Sequence, residues 1–162
     1  MRRQSLKNDA GEPISGIRRL KQEAYGTGKT SGGEAVIDWE RWKTPYADEH
    51  GFDIRNIEET GTYWIALVLP QDTRIIRYGL ESGRFTAPEG TDYDALSLPY
   101  DRETVEFHKY QVTAQSITVY CKVQKGIVAP MFDSEGGAVQ YYHPNANMRE
   151  LIKAGILERV AL

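Results

Sequence analysis

Downstream of Val36 the chain is a succession of short apolar runs of strand length divided by turns, and only one segment carries the spacing of a helix. Parallel strands need long, usually helical, crossovers, so many strands with one helix must pair mainly antiparallel. The alternating strand–helix pattern of a Rossmann nucleotide fold is missing. Thr62 to Leu69 is a nearly continuous apolar run, which predicts a central strand buried on both faces. Asp72-Thr73 then turns the chain into Arg74-Ile75-Ile76-Arg77-Tyr78, where alternation places Arg77 with Ile75 and Ile76 with Tyr78. In Phe107 to Val112 the same alternation groups His108, Tyr110 and Val112, and Ile117 to Val123 is the expected hairpin partner across Thr113-Ala114-Gln115-Ser116. Ala138, Gln140 and Tyr142 share a face. The helix follows Pro144, capped by Asn145 or Asn147, with Met148, Leu151 and Ile152 as its stripe and Gly155 as its left-handed stop. The expected class is α+β: a mainly antiparallel sheet core, a C-terminal helix and a helical or irregular N-terminal arm.

At 162 residues the chain suits one compact domain. Its polar, glycine-rich start divides it into a linker or docking arm over 1–34 and a folded domain over 35–162. Gly28-Lys29-Thr30 does not make a phosphate loop, because the motif's earlier glycine falls on Glu23. Trp39 and Trp42 are expected to pack the outer wall. With 20 basic and 23 acidic residues, no overall positive field recruits nucleic acid or anionic membrane. The single cysteine, Cys121, lies on an apolar strand face with Ile117, Val119 and Val123 and is expected to be a buried thiol. One cysteine allows no internal disulfide and suits a chain that works in, or is exported through, a reducing compartment. No run is long enough to span a membrane, and Met1 to Leu6 lacks the apolar core of a signal peptide. An export address carried by a larger parent chain or a dedicated apparatus is therefore expected. His50, His108 and His143 are scattered, which argues against zinc, and no Gly-x-Ser-x-Gly elbow is present.

Several short blocks occur in a telling order: Leu69-Pro70-Gln71-Asp72-Thr73-Arg74, Arg77-Tyr78-Gly79, Gly83 to Gly90, Leu98-Pro99, His108-Lys109-Tyr110, Val128 to Phe132, Gly136-Gly137-Ala138-Val139-Gln140-Tyr141 and Leu151 to Val160. In this order they resemble the tuberculosis necrotizing toxin family, whose members are NAD glycohydrolases. The resemblance implies a substrate site with Arg77, Tyr78, Gly79, Phe85, Gly136 and Gly137 against NAD, and with Gln140 and His108 as catalytic groups. Two positions depart from the pattern: Phe85 stands where the family usually has tyrosine, and Leu96 where it usually has arginine. Arg84 and Arg102 are the nearest cations in sequence that could compensate for Leu96.

The chemistry gives each residue type a reason. Nicotinamide leaves NAD neutral, so cleavage needs no general acid; it needs a stabilised ribosyl cation and one positioned water. A guanidinium meets two diphosphate oxygens at once, which suits Arg77, with the Gly79 to Gly83 loop offering N–H groups nearby. The Gln140 amide can donate to one partner while accepting from another, and so orient water or ribose hydroxyls. The His108 imidazole could take a proton from water or bond a ribose hydroxyl. Without the resemblance, Arg77 reads first as a surface arginine at a strand end and His108 as a structural histidine, and Gln140 also suits a solvated strand face. The expected function is an NAD glycohydrolase toxin domain, secreted within a larger effector and acting in the target-cell cytoplasm. NAD is its substrate, NADP is left open, no cofactor or metal is required, and a cognate immunity protein is implied. The alternatives are an ADP-ribosyl transferase and a degenerate module that binds NAD or a partner without turnover.

Overall fold

The computed structural model describes residues 7–14, 18–55, 65–113 and 122–162, the side chains of 65–67 excepted. Cys121 and the loop 114–116 lie outside the described residues. Strands β1 (Gly26–Lys29) and β2 (Ala35–Ile37) form an antiparallel hairpin, followed by the single-turn helix α1 (Trp39–Trp42). Next come β3 (Ile65–Val68), β4 (Arg74–Tyr78), β5 (Phe85–Pro88), β6 (Phe107–Val112), β7 (Lys122–Ile127), β8 (Val139–Tyr142), helix α2 (Met148–Lys153) and β9 (Leu157–Val160). These strands make one sheet in the order β3-β7-β8-β5-β4-β6-β9, each neighbouring pair antiparallel. Antiparallel pairing throughout is what a chain with so few helices permits, and the α+β class holds.

Local signals act as their chemistry predicts. Asn147 caps α2 in a reciprocal box: its side chain accepts from the Glu150 N–H, and the Glu150 carboxylate accepts from the Asn147 N–H. Gly155 takes φ 75°, and the Ile156 N–H reaches back to the Leu151 carbonyl. Asp72, at φ 70°, makes the turn into β4. Pairing between distant segments differs from expectation. β3 is the terminal strand of the sheet among the described residues, since an apolar run specifies a strand but not its place in the order. Nor do β6 and β7 form a hairpin; β6 lies between β4 and β9, and β7 between β3 and β8.

One sheet face packs on α2 through Ile75, Tyr110, Val112, Val123, Met148, Leu151 and Leu157. The other carries Ile76, Ala87, Phe107 and Val128 with Leu96. A third cluster joins Tyr25 to Ala129, Met131 and Phe132, so the segment before Val36 contributes to the core. Of residues 18–34, assigned by sequence to an arm, 26–29 are β1, and the Gly-Lys-Thr triplet runs from the end of that strand into the hairpin turn. Leu20 pairs with Tyr100, and the Lys21 N–H donates to the Pro99 carbonyl. These contacts dock the segment on the body.

Candidate active site

On the sheet face away from α2 opens a cleft of about 560 Å³, the size of a small-molecule site. Ile76 and Tyr78 of β4, Phe85 and Ala87 of β5, and Gln140 of β8 form its floor. The segments 39–51 and 96–100, with Arg18, form its walls. Alternation explains the floor, because Ile76 opposes Ala87 in register and Phe85 opposes Tyr142.

Gln140 is the floor's polar group. The residue is 9% exposed, and among the described residues no hydrogen bond engages its amide. An amide that lines a cleft without a protein partner is available to a ligand or water. Its cross-strand neighbour is Gly126, where a β-carbon would stand 2.4 Å from the Phe52 ring. The glycine lets Phe52 sink fully into the core, and backbone bonds from Ala129 to Gly51 and from Asp53 to Ile127 fix the segment. His50 is thereby laid on Tyr142, ring centroids 4.2 Å apart, beside Phe85.

Arg77 enters by another route. Alternation puts it on the α2 face, opposite His108, but it stands near the strand's end and folds over the following turn. Its Nε donates to the Leu80 carbonyl at 2.7 Å and its Nη1 to the Phe85 carbonyl at 3.0 Å. Among the described residues it has no ion pair. Burial, then the charge of Arg18, lowers its pKa, while Tyr110, Glu106 and Glu81 raise it. A partly buried cation bonded only to neutral carbonyls favours an anion beside it.

Other sequence candidates fall elsewhere. His108 is 2% exposed and does not line the cleft; its Nε2 lies 3.2 Å from Glu106 and its Nδ1 4.0 Å from Glu81. Opposite Arg77 in register, it lies between two carboxylates and away from the cleft. The Gly79 and Gly83 N–H groups are used internally, on the Glu106 and Leu80 carbonyls, and the loop meets the cleft through the carbonyl that holds Arg77. Gly136 and Gly137 take φ 69° and 94° in the turn that feeds β8 and lie off the cleft. A β-carbon at Gly136 would strike the Val128 carbonyl at 2.5 Å, so the glycine serves backbone approach and not a ligand. Arg84 donates to the Pro144 carbonyl and Arg102 pairs with Asp9; neither lines the cleft, so the expected compensating cations are not there. Leu96 and Phe85 do line it, Leu96 as part of an apolar cluster.

Sequence reasoning missed Arg18, His50 and Tyr100. Trp39, expected as packing alone, also lines the cleft and is 48% exposed, whereas Trp42 packs on Tyr25. The only available signal for Arg18 was the basic run Arg18-Arg19-Leu20-Lys21 inside the glycine-rich segment.

Fold and cleft together define an antiparallel α+β domain with a candidate small-molecule site whose polar groups include a carbonyl-anchored guanidinium and an unpartnered amide. The chain belongs to the tuberculosis necrotizing toxin family, whose model matches residues 68–160. Over 99 residues it is 32% identical to the conidial surface nicotinamide adenine dinucleotide glycohydrolase of Aspergillus fumigatus. That alignment takes in 57% of this chain and 40% of the relative, so the chain spans well under half of the relative's length. Tuberculosis necrotizing toxin, solved in complex with its immunity factor, matches with a TM-score of 0.58 at 18% identity, over 94% of this chain and 74% of that one. This is a likeness of fold.

Proposed function

We propose that this domain is an NAD glycohydrolase: water replaces nicotinamide at the ribose anomeric carbon, giving ADP-ribose, neutral nicotinamide and a proton. The observation that carries the reading is the Gln140 amide, without a hydrogen-bond partner among the described residues, on the floor of a cleft that Arg77 also lines. Family membership and the glycohydrolase relative support it. In this mechanism Arg77 holds the diphosphate while Gln140 positions the attacking water or the ribose hydroxyls as positive charge develops on the ribose. The apolar floor of Ile76, Phe85 and Ala87 keeps other nucleophiles away. No cofactor is needed, because NAD is the substrate.

An enzyme that destroys NAD endangers the cell that makes it. A cognate immunity protein covering the cleft therefore belongs to the proposal, as does delivery by a larger effector into a target cell. The matched toxin, solved with its immunity factor, supports that partner class. The non-catalytic alternative draws on one observation: His108 lies outside the cleft. Incubating purified protein with NAD while following nicotinamide, ADP-ribose and labelled protein decides among the readings. Nicotinamide and free ADP-ribose in equal amounts are expected. Labelled protein in place of free ADP-ribose would indicate a transferase, and no release from folded protein would leave a binding module.

A further inference from the structure

We infer that Arg18, carried to the cleft by the N-terminal segment, is a second diphosphate-gripping cation beside Arg77. The inference rests on the glycohydrolase reading above. The segment's placement is fixed by backbone bonding: the Lys21 N–H donates to the Pro99 carbonyl at 2.9 Å, the Asp101 N–H donates to the Arg19 carbonyl at 2.6 Å, and Leu20 bridges Tyr100. It therefore lies along the stretch that directly follows Leu96. Alternation turns Arg19 outward and Arg18 inward, with the Arg18 guanidinium carbon 4.5 Å above the Tyr100 ring.

The two arginines are prepared in the same way. Arg18 spends Nε and Nη2 on the Glu34 carboxylate at 3.3 and 3.0 Å, and Arg77 spends Nε and Nη1 on carbonyls. What remains converges: Arg18 Nη1 and Arg77 Nη2 lie 3.8 and 2.9 Å from one point, the β-carbon position that Gly79 leaves empty. Glu34 is the carboxylate that pairs with Arg18, and Arg77 is held by carbonyls. Holding two like charges together at a partly buried rim is unfavourable unless an anion joins them. A diphosphate, with one charge on each phosphate, fits a pair of half-occupied guanidinium forks.

The test compares Arg18→Gln with Arg19→Gln, a control of equal charge change on the exposed neighbour. Calorimetric titration with ADP-ribose should show about tenfold or greater weakening for Arg18→Gln, none for Arg19→Gln and partial recovery for Arg18→Lys. With NAD, the Arg18→Gln defect should fall on KM, with kcat within about twofold of the parent. Parent-like ADP-ribose binding by Arg18→Gln, in a series where Arg77→Ala weakens it, would overturn this inference and leave the glycohydrolase reading intact. If the parent neither releases nicotinamide nor binds ADP-ribose, the glycohydrolase reading fails and this inference falls with it.

Discussion

Gly83 exists to make room for Arg77: a β-carbon built on Gly83 would stand 1.7 Å from Arg77 Nη2 and 2.1 Å from its guanidinium carbon. Nothing in its backbone demands glycine, because Gly83 is not among the left-handed residues. The steric demand comes from a guanidinium folded into the turn. Gly83→Ala should therefore displace Arg77 and raise KM for NAD roughly tenfold, with kcat little changed. Arg77→Ala should raise KM further, and Arg77→Lys should recover only part, since an ammonium cannot make the forked contact. A steady-state KM for Gly83→Ala equal to the parent's would detach Arg77 from substrate binding.

Gln140 separates rate from stability. Its amide has no protein partner to lose among the described residues, so Gln140→Ala removes little that holds the sheet together. Turnover should fall by about two powers of ten or more, while the melting temperature shifts by only a few degrees. Single-turnover nicotinamide release and a thermal melt on the same preparation check both halves. Near-parent turnover would remove Gln140 from the mechanism.

Features set within a few residues were legible from sequence: the Asn147 box, the Gly155 stop, the turn at Asp72 and the face-sharing within β4, β6 and β8. Each is decided by chain neighbours. What alternation could not say is which face the cleft occupies. His108 was correctly grouped with Tyr110, but that face packs on α2, so a correct local reading led to a misplaced site. Arg77 escapes the same fate only because it lies near a strand end and can bend over Gly83. The edge position of β3 and the arrival of Arg18 beside Tyr100 depend on contacts far apart in the chain, which no local pattern encodes.

His143 makes stability depend on pH. It is buried, its Nε2 sits 2.8 Å from the Thr86 hydroxyl, and burial together with the Arg77 charge pushes its pKa down from 6.5 to about 3. Between those values the unfolded chain binds a proton that the folded chain refuses, so stability falls as the solution is acidified. This contribution is complete above pH 6.5 and is lost progressively toward pH 3, at up to about 1.4 kcal/mol per pH unit. Urea denaturation across this range should show the slope in the parent and a shallower one in His143→Gln. Equal slopes would mean that the imidazole is protonated inside the fold.

The carboxylate of Glu81 gives the opposite-sign test on a variant. It is buried, accepts from the Tyr110 hydroxyl at 2.8 Å and from Arg159 Nη2 at 2.7 Å, and has His108 at 4.0 Å. Burial pushes its pKa up, but the Arg159 and Tyr110 hydrogen bonds and the neighbouring charges outweigh it and hold the pKa below 4.5. In the parent, this contribution is therefore fully present above pH 4.5 and lost as acid protonates the folded carboxylate. Arg159→Leu removes the largest lowering influence and leaves burial opposed only by Tyr110 and His108, so Glu81 should titrate higher than in the parent. The variant should be less stable than the parent by about 1–3 kcal/mol near neutrality, the scale for a buried charged group that loses a hydrogen-bond partner. Because the misfit exists only while Glu81 is ionised, the deficit should shrink as the pH falls below about 4.5. Paired urea titrations of parent and variant at neutral and acid pH measure it directly. A deficit that stays constant across that range would show that Arg159 does not stabilise the sheet through the Glu81 charge.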